Sequence, residues 1–312
     1  MTAALDRQAF FTAVRKAPFS GSLTQSQVDG MSAMLDMAPP LMGTMDLGYC
    51  FATAHHETGG AMVPRVENLT YTTAARIKAV WPSRFASEAA AAPYVRNPQA
   101  LANKVYGGRL GNTQPNDGWD FRGMGLVQAT GRDNAKRGTK RLHEIGYMTA
   151  DQDLEKTPTL MLNPDIAAAM LFVGLSEGWY TGMKLSQFFG PGLENPTGAR
   201  KMVNPDDNGA AIAVTYRAFV NALRAAGHEP GAVTTIIPVP PVETAPLKPP
   251  VISTKPAAPA DPLSPDTSGS PRAPEPAVPG AAAPAGPALG GPTVQTGGLG
   301  AWLKSLFSKK AA

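Results

Sequence analysis

The sequence predicts a mostly α-helical domain followed by a long unstructured tail. Three observations carry this. Apolar residues recur at helical spacing through most of the first 236 residues. No alternating apolar and polar run of strand length stands out before residue 233. Of 31 prolines, 17 fall in the last 76 residues, a local excess that one compact domain would not hold. The expected organisation is a globular domain over 1–236, a disordered Pro/Ala-rich linker over 237–297 and a short amphipathic segment over 298–312.

Residues 5–37 read as two helices, with Phe10, Phe11 and Val14 on one and Val28, Met31, Met34 and Leu35 on the other. A break over 18–22 separates them, and Pro39 and Pro40 end the second. A third helix is expected from Thr44 or Asp46, either a suitable N-cap, with Leu47, Cys50, Phe51 and Ala54 at i, i+3, i+4 and i+7. In that register Glu57 falls at the edge of the apolar stripe and His56 points away. Gly59 and Gly60 then stop the helix, because glycine takes the left-handed backbone needed there.

Residues 61–135 mix Pro, Gly, Asn and aromatics, with short helical stretches near 72–80, 84–92 and 98–105. Connections this long and this aromatic read as the walls of a cleft. Asn163, Pro164 and Asp165 open a strongly apolar helix through about Trp179. The last helix runs from about Asn208 to Ala226, with Ile212, Tyr216, Phe219, Val220 and Leu223 on one face. The tail lacks the large side chains needed to fold and reads as a semi-extended linker. At its end Trp302, Leu303, Leu306 and Phe307 share a helical face beside Lys304, Lys309 and Lys310. That pattern fits a sticky terminus, or a weak contact with an anionic membrane surface or a partner.

A net charge of +4 is too mild and diffuse for nucleic-acid binding. The single cysteine, Cys50, excludes an intramolecular disulfide framework and fits synthesis in a reducing cytoplasm. Asp6, Arg7, Arg15 and Lys16 interrupt the opening stretch, so no secretory signal is expected, and no apolar run reaches membrane-spanning length. A cell-wall substrate would then be reached through another component.

Glycosidic hydrolysis needs a protonated carboxyl beside the leaving oxygen and a carboxylate that activates water or attacks the sugar. Glu57, at the helix end, and Glu67, in Arg65-Val66-Glu67-Asn68-Leu69, are the candidates. Partial burial would favour the protonated form of Glu57, whereas Glu67, in a polar loop near Arg65, would stay ionised. By spacing alone this pair reads more readily as a helix-end carboxylate and a solvated loop charge. His55, His56 and Glu57 point in different directions and form no His-Glu-x-x-His motif, so no metal is expected. His143, Glu144 and His228 read as surface residues. Trp81, Trp119, Phe121 and Tyr71 fit either sugar stacking or a core role, and Phe172 and Trp179 a core role.

The run His56-Glu57-Thr58-Gly59-Gly60, taken with Trp119-Asp120-Phe121-Arg122-Gly123-Met124-Gly125-Leu126-Val127-Gln128-Ala129-Thr130-Gly131-Arg132-Asp133-Asn134, resembles glycoside hydrolase family 19. That family holds chitinases and the related phage and bacterial endolysins, and the resemblance covers about residues 5–226. It implies that Glu57 is the general acid and Glu67 the general base. It also implies that Gln128, Thr130 and Asn134 hold the nucleophilic water and the sugar, with Asn204 and Arg217 as further contacts. Thr130 has a hydroxyl to orient water, and Gln128 and Asn134 can donate to and accept from sugar groups. Their spacing places them on a bend. Tyr94, Asn97, Ala102, Asn103, Tyr106, Gly111 and Asn112 look like the endolysin branch.

Two departures stand out: Met124 replaces the usual arginine between the glycines, and the gap from Glu57 to Glu67 is about one residue longer than in the endolysin branch. The resemblance implies a lysozyme-like helical hydrolase, without cofactor, that cuts β-1,4 bonds of bacterial peptidoglycan by inversion. Inversion places the two carboxyl groups roughly 6.5–9.5 Å apart. Chitin is the competing substrate. A non-catalytic wall-binding or phage structural protein, and a lytic transglycosylase using one glutamate, are the other readings.

Overall fold

The structure, a computed structural model, describes residues 5–204 and 208–228. The expected linker and amphipathic segment lie outside the described residues. Those described form a mostly α-helical domain of the lysozyme-like kind, with four two-residue strands among them.

Helix α1 (Arg7–Lys16) starts at Asp6, whose carboxylate accepts the Ala9 N–H at 3.0 Å. Helix α2 (Gln25–Met37) opens on a reciprocal cap. Thr24 Oγ1 accepts the Gln27 N–H, and Gln27 Oε1 accepts the Thr24 N–H. The Gln27 side chain also donates to the Gly60 carbonyl at 2.8 Å, so the start of α2 is tied to the turn beyond Glu57.

Helix α3 (Thr44–Glu57) ends where the apolar stripe and the glycine pair place its end, but its N-cap is Gly43 rather than Thr44 or Asp46. Thr44 is buried, and its hydroxyl bonds the His228 ring at 2.8 Å, so neither acts as expected: Thr44 is no cap and His228 is half-buried, not a surface residue. Gly48 lets α3 lie directly on α11 (Gly209–Ala225), since a Cβ there would stand 2.5 Å from Val220 Cγ2. Helix α9 (Pro164–Glu177), capped by Asn163, is buried on every side and runs through the core against α2 and α3.

A smaller, separate core gathers α4 (Ala74–Val80), α5 (Glu88–Ala91) and α6 (Pro98–Tyr106) around Trp81, Phe85 and Leu101. Trp81 is fully buried there, with Tyr71 edge-on to its ring at 5.2 Å, which makes Trp81 a core residue and not a sugar platform. Strand β1 (Arg65–Val66) pairs antiparallel with β2 (Met124–Gly125), Arg65 opposite Gly125 and Val66 opposite Met124. Val66 packs on the main core and Leu69 belongs to the small one, so the chain crosses between them at Glu67.

Helix α7 (Asp117–Asp120) precedes β2 and α8 (Arg132–Glu144) follows it. The sequence pattern did not single out α8, whose buried residues are only Ala135, Gly138 and Leu142 in an otherwise charged stretch. A second hairpin, β3 (Phe189–Gly190) with β4 (Leu193–Glu194), leads into α10 (Pro196–Ala199). No helix among the described residues is long and apolar enough to cross a membrane.

Candidate active site

Glu57 is the last residue of α3, and Thr58, Gly59 and Gly60 turn the chain away. Both glycines have positive φ, 61° and 81°, and the Gly60 N–H reaches back to the His55 carbonyl at 2.7 Å. The Glu57 side chain is only 5% exposed, as its place on the stripe predicts. Its Oε1 receives the Arg200 guanidinium at 2.5 Å, and Arg200 is buried just as deeply. Arg200 follows α10, so the 3₁₀ turn Arg200–Met202 supplies the counter-charge from far along the chain. No motif marks it. The only sequence signal was an arginine beside the Asn204 segment.

Arg65 links the two carboxylates' segments. Its guanidinium donates to the Thr58 carbonyl at 2.9 Å, fastening the end of α3 to the start of β1. This overturns the expectation that Arg65 keeps Glu67 ionised in a polar loop. Glu67 is 8% exposed and sits in a closed setting. Its N–H donates to the Gly123 carbonyl at 2.8 Å, the Gly123 N–H donates to Oε2 at 3.3 Å, and the Tyr106 hydroxyl lies 2.8 Å from both carboxyl oxygens. Burial pushes the Glu67 carboxyl up to about 7, against the opposing pull of the Tyr106 hydroxyl, the Gly123 N–H and the Arg122 charge. Burial and the adjacent Glu67 hold the Tyr106 phenol well above its ordinary range, so it remains a donor. Tyr106 entered the sequence reading only as a branch marker; its contact arises because the small core docks the end of α6 against the hairpin.

The segment after β2 does form a bend. Met124 and Ala129 exchange both backbone hydrogen bonds, at 3.1 and 2.9 Å, and Gln128 takes φ of 53° at its apex. Both Gln128 amide protons are committed, to the Arg65 carbonyl at 3.0 Å and the Gly125 carbonyl at 3.1 Å. Gln128 is therefore a strut across the hairpin, and only its Oε1 can face a ligand; donation to a sugar is excluded while those bonds hold. Thr130 donates to the Gln128 carbonyl at 3.1 Å, which leaves its oxygen free to accept from a water. Asn134, in the first turn of α8, donates to the Thr130 carbonyl at 2.9 Å.

Asn204 is fully buried, its N–H bonded to the Arg200 carbonyl at 2.8 Å, so it lies one turn from the Glu57 partner. Arg217 is exposed on α11, and no ion pair or hydrogen bond among the described residues joins it to either glutamate. His143 is half-buried and bonds the Gln152 carbonyl at 2.7 Å, a structural contact. Phe121, Phe172 and Trp179 are buried. The described residues hold no cluster of three metal-ligating side chains.

The arrangement supplies two buried carboxyl groups in contrasting settings. One is paired to a guanidinium; the other is desolvated, hydrogen-bonded to a phenol, and titrates near neutrality. Such a pair can divide proton donation and proton removal between its members.

No family model matches the chain. A protein of Haemophilus influenzae described as a glycosyl hydrolase family 19 domain-containing protein is 35% identical to it over 106 residues, which make up 33% of this chain and 52% of that protein. The chain thus spans about half the length of that relative. Together with the two motif runs, this match supports a relationship at family level: the chain is similar to glycoside hydrolase family 19.

Proposed function

We propose that the protein is an endolysin-like glycoside hydrolase that cuts β-1,4 bonds of bacterial peptidoglycan with inversion. Glu57 acts as the general acid and Glu67 as the general base. The observation that carries this reading is the enclosure of Glu67. A carboxyl titrating near 7, held by Tyr106 and Gly123 on the hairpin that also carries Thr130, is a base poised to take a proton from a water near neutral pH.

In the proposed reaction Glu57, whose Oε1 is held by Arg200, first takes up a proton at Oε2 and passes it to the glycosidic oxygen as the bond breaks. Water accepted from by Glu67 and oriented by the Thr130 oxygen adds to the opposite face of the sugar, and its proton goes to Glu67. Arg200 then faces the Glu57 carboxylate left behind.

The test is product analysis on purified sacculi and on chitin oligomers, with wild type, Glu57→Gln and Glu67→Gln. Reducing sugar released from sacculi by wild type and lost in both variants supports the reading. Cleavage of chitin alone moves the substrate to chitin, anhydro-sugar products move the reaction to a transglycosylase, and no release from either polymer leaves a binding role.

A further inference from the structure

A cavity of about 410 Å³ opens on the flank of the same hairpin, with neither glutamate in its lining, walled by Trp119, Phe121, Met124 and Pro158 on its apolar side. Three cations line it, and two of them are already neutralised. Arg132 is held by the buried Asp117 at 2.5 Å and by Glu155 at 3.6 Å, and Lys156 pairs with Asp153 at 3.3 Å.

Arg122 differs. No described carboxylate forms an ion pair with it, although the charges of Glu67 and of Asp120, the latter on the same rim, both act on it. Of its five N–H donors one is accounted for, to the Trp119 carbonyl at 2.6 Å, and its Nε is buried with no acceptor. The guanidinium carbon stacks 3.7 Å over the Trp119 ring, which fixes its plane. A half-buried, oriented guanidinium with donors to spare, at the wall of a cavity large enough for several amino-acid residues, is matched to a carboxylate, whose two oxygens meet the fork in parallel.

Resting on the proposed wall-hydrolase function, we infer that this cavity receives the carboxylate-bearing peptide stem of a muramyl residue, with Arg122 as its anion contact. Arg122 is then the residue that separates peptidoglycan from chitin, which carries no such stem. The cavity shares Met124 with β2, where Met124 pairs with Val66 next to Glu67, so a stem seated there lies beside the segment that carries the proposed base.

The experiment is calorimetric titration of the full-length Glu57→Gln protein, with and without Arg122→Gln, using a soluble disaccharide–tetrapeptide and the same disaccharide freed of its stem. The stem is expected to tighten binding about tenfold or more, and Arg122→Gln is expected to erase that difference. Arg122→Lys should keep part of it. In the Arg122-intact protein the stem advantage should also shrink as salt rises from 0.05 to about 0.5 M, a readout independent of whether Arg122→Gln folds.

Equal affinity for the two ligands, a stem advantage that survives Arg122→Gln, or one indifferent to salt overturns the inference. Cutting the stem from its lactyl amide exposes the lactyl carboxylate, so a stem-free disaccharide that keeps its affinity through Arg122 overturns it too, by moving the contact to that group. The function can fail separately: stem-dependent binding without any sugar release from sacculi by the wild type sinks the hydrolase reading alone.

Discussion

Tyr106→Phe removes one oxygen and tests the central electrostatic argument. The hydroxyl is 2.8 Å from both oxygens of Glu67 and favours its ionised form. The phenylalanine ring fills the same space in the small core, and no other donor replaces the hydroxyl within a buried setting. A hydrogen bond to a charged group contributes about 1.5–3 kcal/mol, which at 1.36 kcal/mol per pKa unit raises the Glu67 carboxyl by roughly one to two pH units from about 7. At pH 7 the ionised fraction then falls from about half to between roughly 10% and 1%. Sugar release at that pH should drop roughly five- to fifty-fold, and most of the loss should be recovered at pH 9. The assay is the pH dependence of kcat/KM on purified sacculi, with the carboxyl carbon of Glu67 titrated by ¹³C NMR in parallel. An unmoved rising limb, or a wild-type Glu67 that titrates near pH 4.5, would refute the reasoning.

Other predictions follow from the same contacts. Because the folded pKa of Glu67 lies above its unfolded value, its contribution to stability is full below about pH 4.5 and lost as pH rises through about 7, on the order of 3 kcal/mol. Glu67→Gln should therefore show a smaller fall in Tm between pH 5 and pH 8 than wild type; an equal fall sinks the claim. Arg200→Leu strands a buried carboxylate and should cost about 3–5 kcal/mol in urea unfolding, much of it regained in the double variant with Glu57→Gln. A cost below about 1 kcal/mol would show that the pair is not buried as described. Gly118→Ala places a Cβ 2.6 Å from the Ala102 carbonyl oxygen and from Asn103 Cα, so α6 and α7 must part. The expected cost is about 1–3 kcal/mol by chemical denaturation, and a neutral substitution contradicts the close approach.

Much of this was legible in the sequence wherever one short stretch held the whole signal. The end of α3 is such a case: Leu47, Cys50, Phe51 and Ala54 set the face, the glycine pair set the stop, and Glu57 came out buried at the edge. The apolar run after Asn163 is another, since a helix that reads apolar on every side belongs inside. What escaped was set by distant partners. Arg200 reaches Glu57 across 143 residues and Tyr106 reaches Glu67 across 39, and no periodicity announces either. The Glu67 environment is not legible locally for that reason: its neighbours in sequence are polar, but its neighbours in space are a phenol and a hairpin backbone. Helix α8 carries no comparable signal, because its buried face is narrow and includes a glycine.

The two glutamates are governed by different parts of the molecule. Glu57 hangs from a helix rooted in the large core, whereas the proton affinity of Glu67 depends on a tyrosine belonging to a ten-residue cluster under α4 to α6. Small clusters open locally at lower free energy than large ones. On warming, therefore, the proposed base should be lost before the fold. Inactivation should then run ahead of melting and reverse on cooling, and the small core would work as a thermal fuse for the proposed chemistry.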